Sequence, residues 1–302
     1  MPTIVGGMLQ HPPDGAPSGK HHTMTSRRIA FLDVDGTLID HQQRLAPSAI
    51  EAVRGARARG HLVYLCTGRA RAEIPDHVTA IGFDGVISAG GGFTDRGDEH
   101  VAQHLMPSAD QEQLIAFFEA HDVEYILQAY DDIYPSPGIL ARVRPIFDGA
   151  EAGADDPAAA AALARVETRM AYKGPAPAGA IAKATFAGSH PDTFTVVRDG
   201  LGERFHVITG TIPYLGGSGG EVSLHGVNKG AAIAELVAQL GMSLDDAIGI
   251  GDSYNDLEML QVCGVGIAMG NADDTVKTYA DEVTTSVHDD GVHTAFARHG
   301  LI

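Results

Sequence analysis

The sequence is organised around Phe31-Leu32-Asp33-Val34-Asp35-Gly36-Thr37-Leu38, where an apolar run ends in two carboxylates. The run from Ile29 to Leu32 predicts a strand that is buried on both faces, as in the centre of a parallel sheet. Asp33 then lies at the carboxyl end of this strand, where open α/β sheets bind ligands. An alternative is a turn in which Asp35 binds only its own backbone.

The two carboxylates of this stretch should repel each other. At ~4 Å and an effective dielectric constant of ~20, a pair of like charges costs roughly 4 kcal/mol. A bound cation would remove this cost, so the acidic pair raises the question of a metal site.

The composition restricts the class of protein. The chain has 302 residues, enough for two domains, and its 44% hydrophobic residues can fill a core. Its 39 acidic and 21 basic residues give a formal net charge of -18, which argues against a nucleic-acid-binding protein. No apolar run is long enough to cross a membrane. Cys66 and Cys263 give no disulfide framework and suit the cytoplasm, and residues 1–27, which lack an apolar signal region, are predicted to be a disordered leader.

Two further predicted strands end in turns rich in glycine. The strand His61–Cys66 leads into Thr67-Gly68-Arg69, whose hydroxyl and backbone N–H groups can bind an oxyanion. The same turn also fits Thr67 as the N-cap of a following helix. A third strand, Gly85–Ser88, runs into three consecutive glycines.

The pattern changes over residues 108–213. Alternation of apolar and polar residues predicts half-exposed strands at Val123–Tyr130, Ile181–Ala187 and Phe205–Thr209. Together with a helix from Ser108 they indicate an inserted α+β module, and the glycines at 216–220 predict a flexible exit from it. The flanking segments 28–107 and 214–302 would form one α/β core.

The α/β order returns after the module. Glu221–Leu224 predicts a short core strand, and a helix begins near Lys229. A cation at a helix start opposes the helix dipole, so this position favours a ligand-binding role, although a solvated lysine also fits.

Acidic residues also follow the predicted strand Ala247–Gly251. Asp252 lies at the tip of this strand, and Asn255 and Asp256 fall in the first turn of the next helix. The preference of helix N-termini for acidic residues explains Asp256 but leaves Asp252 unexplained.

All these side chains are predicted at the carboxyl ends of strands of one sheet, so we expect them to share a site. The set comprises Asp33, Asp35, Thr67, Lys229, Asp252, Asn255 and Asp256. Oxygen ligands of this kind select a hard ion such as Mg²⁺. A lysine and a hydroxyl beside such an ion provide most of what phosphoryl transfer requires.

The order and spacing of four motifs resemble those of haloacid dehalogenase (HAD) superfamily phosphohydrolases of the Cof type, class IIB, which carry a C2B cap. The motifs are Asp33–Leu38, Thr67–Arg69, Lys229 within Gly226–Gly230, and Gly251–Asp256; they cover about residues 28–302. The resemblance implies a doubly wound parallel core with an inserted α+β cap at 108–213. The chain departs from the family at Ser88–Gly92, where relatives commonly have an asparagine before the glycine.

The resemblance also implies a reaction: hydrolysis of a small phosphomonoester, such as a sugar phosphate or a related metabolite, through an aspartyl-phosphate. The implied catalytic residues are Asp33 as nucleophile and Asp35 as general acid and base. The implied Mg²⁺ ligands are Asp33, the Asp35 backbone carbonyl and Asp252, with Asp256 binding directly or through water. The implied phosphate-binding residues are Thr67, Gly68, Lys229 and Asn255. Candidate cap contacts to the substrate are Glu124, Gln128, Tyr130 and Lys183, and Arg69 is a candidate for either phosphoryl binding or a contact between core and cap.

Two other functions fit parts of the pattern. A phosphotransferase or phosphomutase of the same superfamily would share the motifs. A signalling receiver-like module also combines acidic residues, a threonine and a lysine on a doubly wound sheet, but it would need neither Asp35 nor an inserted module.

Overall fold

The computed structural model describes residues 27–150, 164, 166–209 and 215–302. The predicted leader therefore lies outside the described residues except for Arg27, and so does the predicted boundary at residues 213 and 214. Within the described ranges, no helix has the length and apolar character needed to span a membrane.

The strands form two separate sheets. In chain order they are β1 Ile29–Leu32, β2 Leu62–Cys66, β3 Gly85–Ser88, β4 Phe93–Arg96, β5 Glu99–Gln103, β6 Glu124–Gln128, β7 Ile133–Pro135, β8 Lys183–Ala187, β9 Phe205–Thr209, β10 Gly219–Leu224, β11 Ala247–Gly251, β12 Val265–Ala268 and β13 Glu282–Val283. The large sheet has the order β13-β12-β11-β1-β2-β3-β4-β5, and the small sheet has the order β7-β6-β8-β10-β9.

The helices follow the strands of both sheets. They are α1 Pro47–Ala58, α2 Asp76–Thr79, α3 Ser108–Ala120, α4 Ile139–Ala150, α5 Thr193–Leu201, α6 Lys229–Gln239, α7 Leu257–Val262, α8 Asp274–Lys277 and α9 Gly291–Arg298. Helices are thus interleaved with the parallel strands of the large sheet, as in doubly wound folds.

The strand β1 lies in the middle of the large sheet, parallel to β2 and β11. All four of its residues are fully buried, which confirms the strand predicted from the apolar run. On one face of the sheet, Ala52 of α1 and Phe296 of α9 belong to a common core. On the other face, Ile233 of α6 and Met259 of α7 pack with Phe31. Helices on both faces confirm the predicted doubly wound α/β class.

The small sheet is antiparallel, and one of its faces packs against α3 and α5. Phe118 of α3 and Val197 of α5 pack with Leu127, Ala184 and Val222 of the sheet. Residues of the opposite face contact the segment that follows β2, because Gln128 donates to the carboxylate of Glu73 and Lys183 donates to the carbonyl of Gly68. This face of the small sheet therefore lies against the segment after the carboxyl end of β2.

One predicted strand joins the other sheet. Glu221–Leu224 is a strand, as expected, but β10 pairs antiparallel with β8 and β9 of the small sheet. Its assignment to the α/β core was wrong. The reason is that apolar and polar residues alternate along β10: Val222 enters the core of the small sheet, whereas Glu221 and Ser223 face away from it. A central parallel strand would have been apolar on both faces.

Candidate active site

The loop after β1 brings two carboxylates to the carboxyl edge of the large sheet. Asp33 is only 4% exposed, whereas the Asp35 side chain is 46% exposed. Gly36 has a φ of 77°, and a Cβ there would lie 2.1 Å from Oδ2 of Asp252. Glycine is therefore required at this turn, both for its conformation and for the close approach of the Asp252 carboxylate.

A buried lysine joins two of the motifs. The Nζ of Lys229 lies 2.6 Å from Oδ1 of Asp33 and 2.6 Å from Oδ1 of Asp256. Although burial opposes its charge, the carboxylates of Asp256 and Asp33 raise the pKa of Lys229 above its usual value. The lysine is held there by α6, whose N-cap residue Asn228 accepts a hydrogen bond from the backbone N–H of Ala231. Lys229 is thus a fixed positive charge beside Asp33.

The carboxylate of Asp256 is fully buried and uses both oxygens. While Oδ1 accepts from Lys229, Oδ2 accepts from the backbone N–H groups of Asp252 and Ser253 at 3.0 and 2.9 Å. These bonds fix the turn after β11 and hold Lys229 in place. Asp256 is therefore a positioning group as well as a member of the acidic cluster.

Asp35 is paired with Arg69 of the second motif. The guanidinium donates through Nε to Oδ2 at 2.6 Å and through Nη2 to Oδ1 at 2.7 Å. Burial works against the charge of Asp35, but the hydrogen bonds and charge of Arg69 outweigh it and lower the pKa of this carboxyl. Arg69 also donates to Gln43 and to the carbonyl of Glu73. Each of these partners belongs to the core, so the described bonds of Arg69 do not include the predicted contact to the cap.

Three carboxylates form a cluster that fits a hard divalent cation. Asp33, Asp252 and Asp256 each offer an oxygen, and these oxygens lie within 4.8 Å of one another. Burial is the main reason that the pKa of Asp33 is raised to about 7 and that of Asp252 to about 8, and the neighbouring carboxylates add to it. The site therefore holds more negative charge than Lys229 alone stabilises. Burial also raises the pKa of the nearby Cys66 thiol, which disfavours a soft thiolate ligand.

The second motif presents a hydroxyl and a close backbone approach. The Thr67 hydroxyl oxygen accepts the backbone N–H of Arg69 at 3.1 Å, so its own proton can be donated to a ligand. A Cβ on Gly68 would lie 2.7 Å from Nδ2 of Asn255. The second and fourth motifs thus meet at Gly68, and the absence of a side chain there allows the contact.

A further residue of this site was missed from the sequence. The Nδ2 of Asn271 donates to the Gly36 carbonyl at 2.9 Å and lies 3.4 Å from Oδ2 of Asp252, while its Oδ1 accepts from Val287. Asn271 follows β12, another parallel strand, so its place at the carboxyl edge was a signal that could have identified it.

The structure brings the predicted site residues to one edge of the large sheet, where the four motifs meet. Of the candidate cap contacts, Lys183 reaches this edge through its bond to the Gly68 carbonyl. The other three are engaged elsewhere: Glu124 with Ser136, Gln128 with Glu73 and Tyr130 with Asp95. The site thus combines a buried carboxylate, a fixed lysine, a partly exposed carboxylate and an acidic cluster.

A comparison with protein families finds one model that matches nearly all of the chain. Residues 30–296 match the family described as haloacid dehalogenase-like hydrolase. The match includes the first motif, the second motif and both later motifs, as well as the segment that forms the small sheet.

Named relatives are phosphatases. An HMP-PP phosphatase of Escherichia coli O157:H7 (strain EC4115 / EHEC) is 30% identical over 254 residues, which cover 81% of this chain and 85% of the relative. The putative phosphatase YkrA of Bacillus subtilis (strain 168) is 24% identical over 286 residues, covering 91% and 98%. Among solved structures, the HAD subclass IIB sugar phosphatase BT4131 has a TM-score of 0.71 at 23% identity, covering 91% of this chain and 100% of that one. At 23% identity, the similarity to this solved structure shows the fold alone.

Proposed function

Because this chain belongs to the haloacid dehalogenase-like hydrolase family and is a phosphatase, we propose that it hydrolyses a small phosphomonoester through an aspartyl-phosphate on Asp33. The substrate class would be a sugar phosphate or a related phosphorylated metabolite. The observation that carries the proposal is the buried contact between Asp33 and Lys229, because it places a carboxylate nucleophile beside a fixed cation. An anionic phosphoryl group and a carboxylate can approach each other only where such charge is available.

We propose that the acidic cluster holds Mg²⁺. The Asp33 side chain, the Asp35 backbone carbonyl and Asp252 would bind it, with Asp256 directly or through water, and the raised pKa values of Asp33 and Asp252 support this assignment. When bound, the ion would neutralise the charge of the carboxylates and of the phosphoryl oxygens.

The first chemical step would be the attack of Asp33 on phosphorus. A bond forms between a carboxylate oxygen of Asp33 and phosphorus, and the bond from phosphorus to the leaving oxygen breaks. Thr67 and Lys229 would bind the other phosphoryl oxygens, with Gly68 contributing its backbone and Asn255 its amide. These contacts would hold the phosphoryl group in line with Asp33.

Asp35 would move the protons of both steps. It would donate a proton to the leaving alkoxide and then remove one from the water that cleaves the aspartyl-phosphate. Arg69 stabilises the ionised form of Asp35, so the two side chains must separate before Asp35 acts as an acid. The ionised form is the one that the second step needs as a base.

The replacement Asp35→Asn should lower kcat by at least ~10²-fold, the usual contribution of general acid–base catalysis. Steady-state phosphate release measures this loss. Asp40→Asn is the matched control, because Asp40 is also an aspartate of this loop that pairs with an arginine, Arg44. An Asp35→Asn enzyme with unchanged kcat would reject the assigned role.

The effect of Mg²⁺ on thermal stability should depend on pH. The pKa values of Asp33 and Asp252 are about 7 and about 8, above the ordinary value of 3.8. Between pH 3.8 and these raised values, the metal-free folded state therefore binds more protons than the unfolded state. The free energy of unfolding should therefore fall as the pH rises across this range. Because Mg²⁺ competes with these protons, it should raise the Tm more at about pH 8 than at about pH 5.

This pH dependence can be measured by thermal denaturation with and without Mg²⁺ at both pH values. Asp252→Asn removes one of the two titrating carboxylates and one ligand, so most of the Mg²⁺ effect should disappear in this variant. Equal increases in Tm at both pH values would contradict a metal site at this cluster.

We also propose that the small sheet and its helices form a cap domain. The predicted core segments were 28–107 and 214–302. The second of them would then begin after Leu224, because β10, which ends at Leu224, pairs within the small sheet. The cap would cover the site and exclude water from it, as lids do in many enzymes.

The proposed function is tested by a phosphate-release screen over phosphorylated metabolites with and without Mg²⁺, with Asp33→Asn as the blank. Release of phosphate into water without an added acceptor would support a hydrolase over a phosphotransferase or mutase. If Mg²⁺ stimulates release from none of the esters, the proposal is wrong.

A further inference from the structure

A second cavity lies at the edge of the large sheet where the parallel strands begin, opposite the candidate active site. Its lining includes Arg27, just before β1, Leu62 at the start of β2, and Asp84, just before β3. Its volume of about 380 Å³ falls within the range of small-molecule binding sites. A molecule bound in this cavity would therefore be separate from the substrate.

The register of three strands explains the floor of this cavity. Tyr64 of β2 is the register partner of Gly85 of β3, which is the partner of Arg96 of β4, so the three residues lie side by side. A Cβ on Gly85 would lie 2.4 Å from Cε1 of Tyr64. The tyrosine ring therefore lies across Gly85, in the direction of Arg96, and both Tyr64 and Arg96 line the cavity.

The hydroxyl of Tyr64 is a buried donor without a partner. The residue is only 1% exposed, and within the described part of the chain its hydroxyl forms no hydrogen bond. Buried hydroxyls are almost always paired, because an unpaired one costs free energy. Burial raises the pKa of Tyr64, so the hydroxyl keeps its proton. The charges that act on it are those of Asp84, Arg96 and Arg27, which all line the cavity, so the hydroxyl is directed there.

The cavity carries an excess of positive charge. Arg27 donates through Nε to a backbone carbonyl at 3.0 Å, and no described acidic side chain pairs with it. Arg96 pairs with Glu99 only at the surface, where the side chains are 45% and 64% exposed and such pairs are weak. The carboxylate of Asp84 is already bound by both donors of Arg57. In a chain with a net charge of -18, this cavity is thus a local site of attraction for an anion.

The other walls of the cavity are apolar. Leu62 lies on the sheet beside the Tyr64 ring, and Leu240 and Met242, which follow α6, lie opposite them. The side chains of Leu62, Leu240 and Met242 are half-buried and pack against the core on this face of the sheet. A ligand that covers these walls would remove further apolar surface from water.

We propose that this cavity binds a small organic monoanion, an apolar body that carries one carboxylate. The body would lie between the Tyr64 ring and Met242, and the carboxylate would accept from the Tyr64 hydroxyl and from Arg27 and Arg96. The planar fork of a guanidinium matches a carboxylate. Asp84 offsets one of the two arginines, so a single negative charge fits the lining better than a phosphate dianion does. The inference does not depend on the proposed phosphatase function.

The binding can be measured on the full chain by NMR with ¹³C-methyl-labelled methionine, with 3-phenylpropanoate as the probe. The Met242 methyl signal, assigned with Met242→Leu, should shift and saturate with a Kd of about 1 mM or tighter, as ligand efficiencies permit for a molecule of this size. Met106 belongs to the core of the small sheet, and its signal should stay in place as the internal reference. The neutral analogue 3-phenylpropan-1-ol should bind at least about tenfold more weakly, because it cannot form a charged contact.

Two variants test the residues that would bind the carboxylate. The double variant Arg27→Met with Arg96→Met should weaken the binding of 3-phenylpropanoate about tenfold or more, and Tyr64→Phe, which removes only the hydroxyl, should weaken it about twofold to tenfold. Arg298→Met is the matched control, because Arg298 also pairs with a glutamate at the surface, Glu282, but does not line the cavity. Its Kd should equal that of the unaltered protein.

Three results would overturn the inference. The first is a Met242 signal that does not move towards saturation by about 20 mM probe, a concentration that would fill a site with the expected Kd. The second is equal binding of the acid and the alcohol, since the cavity would then select no anion. The third is an unchanged Kd in both the double arginine variant and Tyr64→Phe, since the probe would then bind without the proposed contacts.

Discussion

Replacing Asp33 with asparagine should abolish phosphate release while leaving the fold intact. An amide oxygen is a poor nucleophile, and the loss of a covalent nucleophile costs on the order of 10⁴–10⁶ in kcat. The fold should persist because asparagine has nearly the same shape, and burial already disfavours the charge of Asp33, whose pKa is about 7. Lys229 keeps its second partner, Asp256. Steady-state kinetics measures the loss of phosphate release, and circular dichroism tests whether the fold persists.

Acid-quenched mass spectrometry tests the covalent step directly. Unaltered protein mixed with substrate and quenched in the steady state should gain the mass of one phosphoryl group, and Asp33→Asn should not. Asp35→Asn is the control, because it retains Asp33 and would hydrolyse the aspartyl-phosphate slowly, so it should accumulate the modified form. Phosphatase activity like that of the unaltered protein in Asp33→Asn would disprove the nucleophile assignment.

The replacement Lys229→Met should cost both stability and activity. It leaves the carboxylates of Asp33 and Asp256 buried without their cation, and breaking a buried ion pair in this way costs about 3–5 kcal/mol. The loss of its charge at the phosphoryl group should lower kcat by about 10²–10³-fold, as for the loss of one transition-state donor. Urea denaturation and steady-state kinetics measure the two losses.

Lys277→Met is the matched control for the lysine. Lys277 pairs with Asp274 at the surface, where such pairs contribute about 0–1 kcal/mol. A free energy of unfolding for Lys229→Met that lies within this small range of the unaltered protein would show that the buried contacts of Lys229 do not support the fold.

The large sheet and the convergence of the motifs could be predicted from the sequence because they follow from strong local patterns. The short apolar run of β1, bounded by turn residues, favours a central strand. The polar turns after β1, β2 and β11 meet because these strands are parallel and end at the same edge of the sheet. The predicted residues Asp33, Lys229 and Asp256 are indeed joined by hydrogen bonds in the structure.

The remaining details depend on contacts between distant segments. The bond from Arg69 to Asp35 spans 34 residues and that from Asn271 to Gly36 spans 235, and no local pattern specifies such partners. The alternating polar residues of β10 could have excluded it from the centre of the parallel sheet, but the return of α/β order immediately after it suggested the core. Period-two alternation identifies a half-exposed strand without naming its neighbours.

The short turn between β10 and α6 has a mechanical consequence. Leu224 ends a strand that carries Glu221, and Lys229 begins the helix that places its ammonium beside Asp33. The turn is braced, because Ser223 donates to the carbonyl of Val227 and the N–H of Val227 donates to the carbonyl of Leu224. A hinge movement of the small domain would therefore be transmitted through this turn to the start of α6 and would shift Lys229. Under the proposed function, an opening of the small domain that releases products would then also weaken the contact of Lys229 with the phosphate.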